Sequence, residues 1–123
     1  MKIFEKSNSQ AGQESFVLNV LKEKKNGWYV EIGSGYPVVN NNTYILETEY
    51  GWNGVGIDWD SNCVVEYNNM RRNKCIQADA TQFNYLEYFK ENNFPKQIDY
   101  LQVDVEPAQQ TLLALKRLPL DQY

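Results

Sequence analysis

Short apolar runs alternate along this chain with stretches of helical spacing, and that alternation constrains its fold more than any other feature. Trp28 to Ile32, Gly54 to Asp58, Lys74 to Ala78 and Ile98 to Val103 read as strands. Residues 13 to 25 put Phe16, Val17, Val20 and Leu21 on one helical face, and Asn26-Gly27 closes that helix as a left-handed cap. A second helix starts within Asn40-Asn41-Asn42-Thr43 and ends at Tyr50-Gly51. Ser61 to Arg72 carries Val64, Val65 and Met70 behind a cap at Ser61 or Asp60. Asn84 to Asn92 aligns Tyr85, Leu86 and Phe89 before Phe94-Pro95 breaks the pattern. Ala108 to Leu118 closes the chain as a helix expected to bury Leu112, Leu113 and Leu115.

Helices and strands in strict alternation predict an α/β fold, a doubly wound parallel sheet in three layers, for which the usual strand order is 3-2-1-4. The 123 residues suffice for one domain with a real core and are too few for two, so residues 1–123 are expected to form one unit. Right-handed crossovers bring the strand C-termini to one edge, where ligands bind in such sheets. Gly33 to Gly35, Asp58, and Asp104 with Glu106 all fall there. Ile98 to Val103 has the continuous apolar character of a strand covered on both faces. In this order, however, its outer edge has no neighbour, and Tyr100-Leu101-Gln102-Val103 offers no Lys or Pro to discourage pairing. Self-association through that edge, a partner chain, or cover by residues 118–123 is therefore expected.

Composition narrows the function classes. Hydrophobic residues are 42% and charged residues 23%, an ordinary globular balance. The net charge is -4, and the basic residues cluster only at Lys22, Lys24 and Lys25 and at Arg71-Arg72, runs that read as solvated helix faces. Nucleic-acid binding needs a concentrated basic patch and is not expected. No apolar stretch approaches the roughly 20 residues needed to cross a bilayer, and no signal-peptide core is present, so a cytoplasmic location is the default. Cys63 and Cys75 lack metal-site spacing and read as buried or half-buried thiols, so no metal centre is expected. With no His in the chain, a general base has to be Asp, Glu, Tyr or Lys, or come from elsewhere.

Val30-Glu31-Ile32-Gly33-Ser34-Gly35 places a glycine-rich turn after a strand, which lets a ligand approach the backbone. Asp58 follows Gly33 by 25 residues at the end of the next strand, close to the separation at which an acid accepts both ribose hydroxyls of an adenosine cofactor. Its plain alternative is an acid that caps the next helix. A dinucleotide fingerprint needs a third glycine where Val38 stands, and Pro37 removes a backbone donor from the turn that would cradle a pyrophosphate. A nicotinamide oxidoreductase is thereby disfavoured, and a cofactor without phosphates fits better.

Five motifs in order carry a resemblance: Ser9-Gln10-Ala11-Gly12-Gln13, Val30-Glu31-Ile32-Gly33, Asn42-Thr43-Tyr44-Ile45-Leu46-Glu47, Gly51-Trp52-Asn53-Gly54 and Asp104-Val105-Glu106. Together they cover nearly the whole chain, which resembles the FkbM-type S-adenosylmethionine-dependent methyltransferases. The resemblance implies a Rossmann-like domain, S-adenosylmethionine as cofactor, and methyl transfer to a hydroxyl of a sugar or other small molecule. It assigns Glu31, Gly33, Ser34 and Gly35 to the methionine end of the cofactor, Asp58 to the ribose, and Asp79 with Ala80 to the adenine edge. Trp59 would stack on adenine or else be a half-exposed core tryptophan, with Trp28 flanking the site. Gln10 and Gln13 would reach the cofactor from the N-terminal segment or else be ordinary helix-start polarity. Asp104 and Glu106 are the catalytic candidates: they orient a substrate hydroxyl, bind a divalent cation, or cap the final helix. Pro107 stands where the family usually has glycine, and Tyr36-Pro37 replaces a more polar turn. The family's sheet has further strands after the fourth, so the alternative function is an incomplete or non-catalytic cofactor-binding unit.

Overall fold

Nine elements alternate through residues 12–123, the residues described by the computed structural model. They are α1 (Gln13–Val20), β1 (Trp28–Ile32), α2 (Tyr44–Tyr50), β2 (Asn53–Asp58), α3 (Ser61–Met70), β3 (Lys74–Gln77), α4 (Tyr85–Glu91), β4 (Tyr100–Val103) and α5 (Ala108–Arg117). The four strands form one all-parallel sheet, as the alternation of elements predicts, in the order β3-β2-β1-β4 that is usual for doubly wound sheets. β1 lies in the middle, pairing Val30 with Val55 of β2 on one side and with Leu101 of β4 on the other.

The pleat of β1 separates two chemistries. Val30 and Ile32 face a core built with Val55, Ile57, Tyr85 and Phe89 of α4, and Ala114 of α5. Tyr29 faces the opposite layer, among Val17 and Leu18 of α1 and Leu46 of α2. Tyr67 of α3 lies on that side too, its hydroxyl 2.6 Å from that of Tyr29. Helices therefore cover both faces, because successive strand residues point in opposite directions.

The Gly51-Trp52-Asn53-Gly54 turn is explained by packing. Trp52 is fully buried and donates its indole N–H to the Lys24 carbonyl at 2.9 Å. Its ring lies so close to Gly27 that an added Cβ there would stand 2.6 Å from it. Gly27 is therefore required for that close approach; the left-handed residues ahead of it are Lys22, Glu23 and Asn26.

Several expected helix faces rotate. α1 ends at Val20, short of residue 25, and it buries Glu14, Val17 and Leu18 while Phe16 and Val20 stay exposed. In α5 Ala114 is buried, as is Leu118 at its C-cap, whereas Leu112 and Leu113 are exposed, and in α3 Cys63, Val64 and Tyr67 are buried in place of Val65 and Met70. Neighbouring residues can satisfy the same three-and-four spacing, and the sheet selects which set turns inward. Asp60 is the α3 cap, accepting from the Asn62 N–H at 2.9 Å.

β4 takes the edge position, with no strand on its outer side among the described residues. It starts at Tyr100 and is only partly covered, with Leu101 exposed, so its apolar run does not mark a strand buried on both faces. Leu118 to Tyr123 folds back beside Ile98, Leu101 and Phe89 around a hollow of about 210 Å³, with Tyr123 packed on the Phe89 ring. No helix among the described residues is long and apolar enough to cross a membrane.

Candidate functional site

Parallel strands end together, so the residues just past β1, β2, β3 and β4 surround one cleft of about 500 Å³. Gly33 follows β1, Asp58 ends β2, and Trp59 and Asp60 come just after it. Asp79 and Ala80 follow β3, while Asp104, Glu106 and Pro107 lie between β4 and α5. Gly33, Asp58, Trp59, Asp79, Ala80, Asp104 and Glu106, all singled out from sequence, are thereby brought together.

Gly33 is dictated by geometry. It has φ +78°, and a Cβ on it would collide with the Asp104 carbonyl oxygen, because the β1 and β4 exits cross there. The Gly33 and Ser34 amides both donate to the Ile57 carbonyl, at 2.7 and 3.3 Å. The Gly35 amide donates to Asp58 Oδ2 at 2.8 Å, and the Asp60 amide to Asp58 Oδ1 at 2.8 Å. The glycine turn thus spends its N–H groups within the protein, and Asp58 is held from both sides. Each Asp58 oxygen keeps a second lone pair for another donor.

The other acids differ in their ties. Asp79 Oδ1 accepts from the Thr81 amide and hydroxyl at 2.9 and 2.6 Å, bonds that hold its carboxyl below the ordinary value. Asp104 and Glu106 are exposed. The N-cap of α5 is Pro107, without a side-chain cap hydrogen bond, so neither acid caps that helix. Among the described residues no group of three or more His, Cys, Asp or Glu is arranged to hold a metal ion. With Asp60, five carboxylates line the cleft, and no Lys or Arg does.

The remaining candidates lie elsewhere. Ser34 is buried and turns its hydroxyl to the Cys75 sulfur at 3.2 Å. Gly35 touches the cleft only through its bond to Asp58. Gln13 lines a separate groove with Phe16, Tyr100 and Gln102. Gln10 lies outside the described residues. Trp59 is 73% exposed at the rim, so it is not a core tryptophan. Trp28 sits at the start of β1, edge-on to Phe94 at 4.9 Å, and does not flank the cleft. Both cysteines are buried free thiols.

Glu31 is 1% exposed and lies beneath the glycine turn, outside the cleft lining. Its Oε1 accepts from the Thr43 hydroxyl at 3.0 Å and the Asn41 amide at 3.4 Å. Its Oε2 is buried without a hydrogen-bond partner, the Asn42 amide lying near the carboxyl outside bonding geometry. Burial pushes the carboxyl up to about 7, against the opposing pull of the Thr43 bond and the Arg71 charge.

Arg71 organises this buried polar cluster, and sequence reading missed it. Its helix-end position suggested a solvated base, yet the side chain is buried and all five guanidinium N–H groups find acceptors. Nε meets Glu47 Oε1 at 2.8 Å; Nη1 meets the Pro37 carbonyl at 2.8 Å and Asn41 Oδ1 at 3.1 Å; Nη2 meets Thr43 Oγ1 at 3.0 Å and Tyr29 OH at 3.2 Å. Asn41 in turn donates to the Ser34 and Tyr36 carbonyls at 3.3 and 3.0 Å, and its Oδ1 caps α2 through the Thr43 and Tyr44 amides, both at 2.8 Å. The one available signal was an Asn-rich stretch before a helix with a polar residue inside a strand, and it names no partner. No protein-family model matches the chain, and no curated protein matches it.

Proposed function

We propose that the cleft binds S-adenosylmethionine and that the protein is a methyltransferase acting on a hydroxyl of a sugar or other small molecule. The observation that carries this reading is the charge of the cleft: five carboxylates and no basic side chain. A dinucleotide would bring a diphosphate into that field with no cation to meet it, and the Gly33, Ser34 and Gly35 amides are already spent. S-adenosylmethionine has no phosphate, and its sulfonium and ammonium groups suit an acidic surround.

The residues fit the parts of that ligand. Asp58, fixed by two backbone amides, has lone pairs left for a vicinal diol. Trp59 offers an exposed face for the adenine, beside Asp79 and Ala80. The cofactor supplies an electrophilic methyl group. Asp104 and Glu106 would orient the acceptor hydroxyl, and one of them would take its proton as the O–C bond forms and the methyl–sulfur bond of the cofactor breaks, since the chain has no His to do so.

Calorimetric titration with S-adenosylhomocysteine and with NAD tests the reading. S-adenosylhomocysteine should bind and NAD should not, and Asp58→Ala should weaken binding by about tenfold or more, the equivalent of one lost charge-assisted hydrogen bond. Equal affinity in wild type and Asp58→Ala would show that the ribose lies elsewhere. Binding should also change tryptophan emission through Trp59, and Trp59→Leu should abolish that change.

A further inference from the structure

We infer that Arg71 is a positioning residue for the cleft, holding the turn from Gly33 to Pro37 and through it the Asp58 carboxylate, and that Glu31 makes this hold proton-dependent. Arg71 touches nothing in the cleft. It acts by grasping the Pro37 carbonyl directly and Asn41 Oδ1, while the Asn41 amide group holds the Ser34 and Tyr36 carbonyls. Three carbonyls of the turn are thus tied to one buried cluster. On the other side of the same turn, Gly35 N–H grips Asp58. Any movement of the turn therefore moves the best-anchored acid in the cleft. The acid's link to the cleft is the part that rests on the proposed cofactor reading.

Glu31 is the sensitive member because its carboxyl is enclosed and only one of its oxygens is bonded. The groups that face it are Tyr29 of its own strand, Tyr67 and Arg71 from α3 and its cap, Cys75 of β3 and Tyr100 of β4, with Glu47 of α2 beyond Tyr29 and Arg71 and Glu14 of α1 beyond Tyr100. Arg71 is the only cation among them, and Glu47 already pairs with it at 2.8 Å. Loss of the Glu31 proton puts a second anion in competition for that guanidinium, which draws it from the neutral Pro37 and Asn41 oxygens and loosens the turn. Burial sets the carboxyl at about 7, which places the change near neutral pH.

Arg71→Lys keeps the charge beside Glu47 and loses the planar fork. Amide exchange by NMR should then quicken about tenfold or more at Gly35 and its neighbours in the turn while Val55 and Ile57 keep wild-type rates, and S-adenosylhomocysteine should bind correspondingly more weakly. A residue that only supports the fold would raise exchange in the sheet as well, and that result would overturn the inference. Turn exchange that responds in a chain that never binds S-adenosylhomocysteine would refute the cofactor and leave Arg71 its role. Unchanged turn exchange with unchanged binding would refute Arg71 and leave the cofactor. If Arg71→Lys does not fold, Glu31→Gln decides: the wild-type to variant ratio of turn exchange should rise between about pH 6 and about pH 8. A ratio flat across that range would overturn the proposal.

Discussion

Two polar regions meet at the Gly33–Pro37 turn, and they are built on opposite rules. Beneath the turn, Glu47, Arg71, Asn41, Thr43 and Asn73 form a closed cluster in which Glu47 accepts from Arg71, Tyr29, the Arg72 amide and Asn73. Above it, the cleft holds five carboxylates with no cation among the lining residues. The buried cluster satisfies its charges internally, because an unpaired charge there would have no water to fall back on. In the cleft, Asp104 and Glu106 are exposed to solvent and open to a ligand. The difference teaches that a polar residue in a motif need not touch ligand. Glu31, Asn42-Thr43 and Glu47 belong to quoted motifs yet serve or adjoin the buried side, whereas Asp58, Asp104 and Glu106 face the cleft.

Removing the pivot of the buried region should have the largest effect. Arg71→Ala leaves Glu47 buried without its cation and is expected to cost about 3–5 kcal/mol, read from urea unfolding monitored by circular dichroism. A loss below about 1 kcal/mol would mean that water enters the cluster and that the two regions are less distinct than they look.

The next effect is one of pH. Glu31 keeps its proton in the folded protein up to about 7, while the unfolded chain releases it near the ordinary 4.5. Its contribution is fully present below the unfolded value and is lost as pH rises through the folded one, a fall on the order of 3 kcal/mol. Urea unfolding at about pH 5 and about pH 8 should show this fall in the wild type and a shallower one in Glu31→Gln. Identical slopes would place the Glu31 proton in solvent exchange with no burial cost.

At the boundary between the regions, Gly33→Ala forces a side chain onto the Asp104 carbonyl at a positive φ. We expect a loss of about 2 kcal/mol or more, together with loss of ligand binding, since the clash lies on the cleft wall.

The smallest effect on stability should come from the cleft itself. Asp104→Asn and Glu106→Gln should each leave unfolding within about 0.5 kcal/mol of wild type, since neither side chain caps α5. On the proposed function, both should nevertheless reduce methyl transfer, measured with radiolabelled S-adenosylmethionine and a set of polyol acceptors. Stability changes comparable to those of Arg71→Ala would erase the contrast.

The alternation of elements and the gathering of Gly33, Asp58, Asp104 and Glu106 at one end were legible in the sequence by itself, because they depend on local periodicity and on right-handed crossovers. The strand order was expected only as the usual one for doubly wound sheets, since the same alternation also permits others. A helix cap at Ser61 or Asp60 and the glycine demand at residue 33 belong to the legible class, although the choice of Asp60 and the partner that excludes a Cβ at Gly33, the Asp104 carbonyl, become visible only in the fold. Tertiary structure alone decided which faces of α1, α3 and α5 turn inward, because adjacent sets of residues share the same spacing. It alone decided that Arg71 is a buried hub: its acceptors on Pro37 and Glu47 lie 34 and 24 residues away along the chain. No pattern around Arg71 distinguishes a guanidinium in water from one enclosed by five oxygens. That distinction rests on where three separate segments meet, and a side chain's charge is stable in the interior only where the fold delivers every one of its partners.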